Sequence, residues 1–130
     1  MEDKELIAMA AKAREDAYAP YSGCSVGAAI VTGSGKVYTG CNVENASYGL
    51  SMCAERTAAF KAVCDGEREF TAVAVVTDTG WTPCGACRQV LMEFGPGMRV
   101  LAANAAGNYH KYRLHELLLD AFGPSDLPSK

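Results

Sequence analysis

Apolar positions recur at helical spacing in residues 3–18, DKELIAMAAKAREDAY, with Leu6, Ile7, Ala10, Ala13 and Ala17 near one face. That spacing predicts an amphipathic helix, stopped ahead of Pro20. The pattern then shortens. Residues 26–32 are a compact apolar run, Gly33-Ser34-Gly35-Lys36 is a turn, and residues 37–43 form a second run, so together they read as a β-hairpin. Residues 52–64 are alanine-rich and close at Asp65-Gly66, in the manner of a helix with Cys53 in its first turn. The VAVV run within residues 70–77 predicts a buried strand. Pro83 suits the first turn of a further helix that runs to residue 94 and stops at Gly95-Pro96-Gly97. Residues 99–103 read as a strand, 104–108 as a turn and 109–113 as a weaker strand, with a closing helix starting over 115–119.

Helices between the later strands favour parallel pairing there. The fold class is therefore α/β, a mixed five-stranded sheet (an antiparallel hairpin plus parallel strands) covered by helices. A chain of 130 residues is read as a single domain, residues 1–130, and this size buries roughly two-thirds of the unfolded surface. With 49% hydrophobic and 21% charged residues it is globular rather than disordered. No stretch approaches the roughly 20 apolar residues that span a bilayer, so no membrane partner is expected. A net charge of −3 argues against a polynucleotide partner, which needs a basic footprint. Residues 123–130, with their prolines and serines, are the segment expected to fray.

The cysteines change the picture most. Cys53-Ala54-Glu55 precedes Pro83-Cys84-Gly85-Ala86-Cys87. Three thiolates fill three corners of a tetrahedral zinc and leave the fourth for water, as in a catalytic site. Glu55, two positions past the first ligand, is placed to reach that water as a general base. A Cys-x-Glu element followed by Pro-Cys-x-x-Cys is the three-cysteine form of the zinc nucleobase deaminase signature. Both elements fall at predicted helix N-termini, whose positive ends offset part of the negative charge of three thiolates. Arg56 is expected to donate to a ligand thiolate; an ordinary solvated helix arginine is its alternative.

Other chemistry fits less of the pattern. A thioredoxin-like Cys84–Cys87 redox pair assigns no role to Cys53 or Glu55. A structural zinc needs a fourth ligand, yet His110 and His115 are the only histidines and have no ligand-like spacing. Nor do Cys24, Cys41 and Cys64 make a second close pair. Three disulfides are possible in principle, but the chain shows no apolar signal segment and is large enough to fold without staples. Free thiols imply a reducing compartment, hence a cytoplasmic location. A non-catalytic zinc-binding module would show four protein ligands and no turnover, and a redox protein a reversible Cys84–Cys87 disulfide without metal.

With these motifs the chain resembles the small, all-cysteine, homotetrameric cytidine deaminases over nearly its whole length. The likeness runs through Ala19-Pro20-Tyr21-Ser22, Val26-Gly27-Ala28-Ala29 and Gly40-Cys41-Asn42-Val43-Glu44-Asn45. Cys53-Ala54-Glu55-Arg56-Thr57 and Pro83-Cys84-Gly85-Ala86-Cys87-Arg88-Gln89 carry it most specifically, and a weaker block spans residues 121–127. The resemblance implies one Zn²⁺ per chain and hydrolytic deamination of cytidine and deoxycytidine in pyrimidine salvage. It also implies that Asn42 and Glu44 hold the ribose 3′-hydroxyl, which strand alternation would place on one face. Under it the Ala54 N–H holds the base carbonyl, the Thr82 carbonyl receives the leaving amino group, and Val26 lines the pocket. Tyr48 and Phe122 are lent to a neighbouring subunit's pocket, with plain packing as their alternative. A carboxylate at the 3′-oxygen would repel a 3′-phosphate, which favours free nucleosides.

Two positions depart from the family. Cys24 stands where a phenylalanine usually stacks on the pyrimidine, so either another ring compensates or the pocket accepts substituted cytidines or blasticidin-type nucleosides. Leu119 stands where proline is frequent, which bears on the geometry of the C-terminal segment.

Overall fold

The computed structural model describes residues 1–128. Five strands form one sheet: β1 (Gly27–Thr32), β2 (Val37–Cys41), β3 (Phe70–Val76), β4 (Arg99–Ala103) and β5 (Tyr109–Arg113). Their order is β2-β1-β3-β4-β5. The β1–β2, β1–β3 and β4–β5 pairs are antiparallel, and β3–β4 is parallel. The parallel pair is the one joined through an intervening helix, as chain direction requires.

Side-chain alternation divides the core in two. Ala72, Ala74 and Val76 of β3 face one apolar layer, where Leu6, Ile7 and Ala10 of α1 (Asp3–Arg14) pack. Val73 and Val75 face the other, against Ala58, Ala59 and Ala62 of α2 (Ala54–Cys64) and Leu91 and Met92 of α3 (Gly85–Met92). Leu114 of α4 (Leu114–Leu117) completes that layer. The sheet is thus a slab with helices on both faces. The fit of α2 is close. A Cβ on Gly40 would stand 2.6 Å from both the Ala54 carbonyl oxygen and the Ala58 nitrogen, so only glycine lets this helix lie so near β2.

Several boundaries differ from the sequence pattern. α1 ends at Arg14 rather than residue 18, because the Tyr18 backbone is engaged elsewhere. Its N–H donates to the Asn42 carbonyl and its carbonyl accepts from the Glu44 N–H. β2 ends at Cys41, not residue 43; beyond it Val43 pairs with Tyr18 and Met52 in isolated bridges. α3 begins after Pro83, with Cys84 extended at its N-cap, so the proline lies outside the first turn. The closing helix is one turn, since Leu118 turns out of helical conformation. Within the segment expected to fray, Pro124–Asp126 forms a 3-10 turn in which Asp126 accepts from the Gly123 N–H; residues 129–130 lie outside the described residues. Among the described residues no helix is long and apolar enough to cross a membrane.

Candidate active site

Two helix starts bring the cysteines together. Cys53 is the N-cap of α2, Cys84 the N-cap of α3, and Cys87 lies in the first turn of α3. The Cys53 and Cys84 sulfurs are 3.8 Å apart and those of Cys84 and Cys87 3.5 Å. All three lie within 4.8 Å of one another. Thiolates bound to one tetrahedral zinc at about 2.3 Å stand about 3.8 Å apart, so this donor set fits a single zinc. Among the described residues no fourth His, Cys, Asp or Glu joins the cluster, which leaves one vertex for water.

The charge around the sulfurs is arranged to match. Arg56 donates from Nη2 to Cys53 Sγ at 3.2 Å, while its Nε is buried without a partner. A hydrogen bond with Cys87, aided by the Arg56 guanidinium, pulls the Cys53 thiol down to about 5. Cys87, partner in that hydrogen bond and buried, is pushed up.

Glu55 occupies the second position of α2 and is 4% exposed. Burial pushes its carboxyl up to about 7, and the neighbouring Cys53 thiolate adds to the rise. It faces a cavity of about 250 Å³. Cys24, Val26, Asn42, Glu44, Cys53, Ala54 and Cys84 line the same cavity.

Asn42 and Glu44 reach this cavity without the strand alternation expected of them, because β2 has already ended. Asn42 holds the opposite segment instead: Oδ1 accepts the Val26 N–H at 2.8 Å and Nδ2 donates to the Cys24 carbonyl at 2.8 Å. Glu44 accepts the N–H groups of Tyr21 at 2.9 Å and Ser22 at 3.0 Å, and the Ser22 hydroxyl as well. The hydroxyl bond, first, and the Ser22 N–H hold its carboxyl below the usual range. A carboxylate offers about four acceptor positions, so room for one more donor remains.

The other expected positions are more dispersed. Thr82 does not line the cavity, and its hydroxyl accepts from Arg88 at 2.7 Å. Tyr48 sits on a 3-10 turn (Tyr48–Leu50), 74% exposed, its ring 5.7 Å from that of Tyr21. With Tyr21, Ser22, Glu44 and Ser51 it lines an adjoining cavity of about 300 Å³. Phe122 is exposed, and its carbonyl accepts from Gln89 at 2.9 Å. Sequence reasoning missed Ser22, Ser51, Met52 and Trp81, all of which line the cavity beside the cysteines. Trp81 alone carried a signal, as a lone tryptophan two residues before Pro83.

Such a slab, with a metal-fitting sulfur cluster and a buried carboxylate at one edge, belongs to the zinc hydrolases that deaminate bases. The family model for the cytidine and deoxycytidylate deaminase zinc-binding region matches residues 1–103, and the chain belongs to that family. The cytidine deaminase of Sporosarcina psychrophila is 51% identical over 130 residues, covering 98% of this chain and 96% of that one. That of Halalkalibacterium halodurans is 48% identical, covering 98% of each. The crystal structure of cytidine deaminase from Burkholderia pseudomallei superposes with a TM-score of 0.90 at 54% identity, covering 94% of this chain and all of that one.

Proposed function

We propose that this protein hydrolyses cytidine and deoxycytidine to uridine and deoxyuridine with release of ammonia, using one zinc per chain. The observation that carries the reading is the buried Glu55 carboxyl facing the same cavity as Cys53 and Cys84, which with Cys87 form three sulfurs spaced for a single metal. Cys53, Cys84 and Cys87 hold the metal, which when bound supplies a water acidic enough to attack near neutral pH.

The chain's own groups do the rest. Glu55 accepts the proton of the attacking water and passes it to N3 of the ring, which makes C4 electrophilic. It then takes the proton of the hydroxyl added at C4 and delivers it to the amino group, so that the C4 carbonyl forms as ammonia leaves. A carboxyl lifted toward neutrality by burial serves both directions, since general acid–base transfer is most efficient when the pKa lies near the working pH. Arg56, by donating to Cys53, offsets the charge of the thiolates. The Ala54 N–H, at the start of α2 where helix N–H groups lack intrahelical partners, is free to hold the base carbonyl. The Thr82 carbonyl receives the amino group. Asn42 and the remaining acceptor position of Glu44 hold the ribose 3′-hydroxyl, and the carboxylate turns away 3′-phosphates and therefore polynucleotides.

Residues 1–130 act as one deaminase domain, assembled as a homotetramer. Tyr48, Leu50, Leu119 and Phe122 are all more than half exposed, apolar side chains that neighbouring copies would cover. A second copy covering them would receive Tyr48 and Phe122 at its pocket. The six free cysteines suit a reducing cytoplasm and a role in pyrimidine salvage. Incubation of the zinc-loaded protein with cytidine, followed by ultraviolet absorbance, tests the activity: the cytidine band is lost and ammonia accumulates in equal amount. Zinc-loaded protein that leaves both cytidine and deoxycytidine intact would refute it.

A further inference from the structure

Among the described residues Trp81 is the only aromatic side chain lining the cavity beside the cysteines, and it is the chain's only tryptophan. It is 46% exposed. Its backbone is nevertheless held firmly. Thr77, wholly buried at the end of β3, accepts at Oγ1 the N–H of Gly80 at 2.8 Å and of Trp81 at 3.1 Å. Gly80 takes φ +90°, a conformation glycine adopts without strain, and lies against Ala103 and Asn104 at the end of β4.

The same turn is tied to the segment carrying Cys24. Arg14 donates from Nε to the Ser25 carbonyl at 2.7 Å and pairs through its guanidinium with Asp78. Gly27 stands opposite Val76 in the β1–β3 ladder, so Cys24 and Trp81 are carried beyond the same end of these two neighbouring strands. A half-exposed indole on so constrained a turn contributes little to the core. It does offer a flat apolar face in a cleft whose remaining aliphatic lining, Val26, Met52 and Ala54, has none.

We propose that Trp81 is the aromatic wall on which the pyrimidine stacks, taking the place of the ring absent at Cys24, and that Arg14 positions the two segments that carry Trp81 and Cys24. This rests on the deaminase reading and adds to it the residue that grips the base.

The single tryptophan makes the test direct. The zinc-loaded enzyme is titrated with uridine while its tryptophan emission is followed, and the kinetics of Trp81→Leu and Trp81→Phe on cytidine are compared with the unaltered enzyme. Emission is expected to change and saturate over the concentrations at which uridine inhibits deamination. Trp81→Leu should raise KM for cytidine about 5- to 150-fold, the range for one lost base-stacking ring, with a much smaller effect on kcat. Trp81→Phe should return KM to within about threefold of the unaltered enzyme, since a ring is restored. Active enzyme whose emission ignores uridine, or Trp81→Leu with unchanged KM, overturns the proposal while the deaminase reading stands. Emission that follows protein concentration but not uridine also overturns it, making the ring a subunit contact. Loss of the deaminase reading looks different, because the zinc-loaded unaltered protein then consumes no cytidine, and the stacking role falls with it. The emission titration uses the unaltered protein, so poor folding of Trp81→Leu would not blunt the test.

Discussion

At the scale of single residues, the proposed mechanism rests on one carboxyl, that of Glu55, which must carry protons in both directions. Glu55→Gln keeps the size and the hydrogen-bonding capacity of the side chain but cannot relay a proton. Zinc content by atomic absorption should stay at about one per chain, while kcat falls about 10²–10⁴-fold. Retention of more than about a tenth of the activity would remove Glu55 from the role of base. Cys24 poses a question of shape. Cys24→Phe adds a ring to a cavity in which Trp81 already supplies the stacking face, so KM for plain cytidine should change little while turnover of cytidines bulky at C5 drops. A selective loss separates a change of pocket from general damage, and an unchanged ratio would show that position 24 does not bound the base. Glu44 also has a testable proton. Its folded pKa lies below its ordinary 4.5, so its bonds to Tyr21 and Ser22 are fully present above that value and are lost as pH falls through the lower folded one. The amide resonances of Tyr21 and Ser22 should therefore hold steady down to about pH 4.5 and shift only in more acidic solution.

At the scale of elements, the decisive feature is how close α2 lies to β2. Gly40→Ala would press a methyl group onto two backbone atoms 2.6 Å away, and neither atom belongs to a side chain that can swing aside. The helix must shift, and Cys53 at its N-cap shifts with it. The expected cost is about 1–3 kcal/mol of stability, the usual range for overpacking. Thermal melts should register that loss, and zinc affinity should weaken in the same variant. A variant as stable as the parent, with undiminished zinc binding, would mean that the helix has slack the packing does not suggest. Much of this level was legible beforehand. The apolar runs of β1 and β3 and the Pro-Gly punctuation after α3 placed those elements near their observed positions. The end of β2 was not legible, because Asn42 and Val43 look like strand residues. They leave the ladder for partners at Val26, Tyr18 and Met52, all distant in sequence or across a turn.

At the scale of the whole molecule, the proposed assembly places the exposed Tyr48 and Phe122 where one chain would meet another. Sedimentation at assay concentration is expected to show a tetramer, and dilution into dimers or monomers should reduce activity as pockets lose Tyr48 and Phe122 from their neighbours. A fully active monomer would contradict the assembly and those two roles together.

The residues themselves determined the metal chemistry and the layered α/β plan. Thiolate donors at Cys-x-Glu and Cys-x-x-Cys spacing leave few other uses for those groups, and strand and helix periods follow from side-chain geometry within short windows. Tertiary structure alone decided which side chains complete the cavity. Trp81 enters it because Thr77, nearby in sequence but wholly buried, fixes the turn, and because Arg14, distant in sequence, ties that turn to Ser25. The raised Glu55 carboxyl arises in the same way, from desolvation by elements that meet only in the folded chain. Local pattern records what each segment prefers; burial and long-range hydrogen bonds depend on where the rest of the chain has gone.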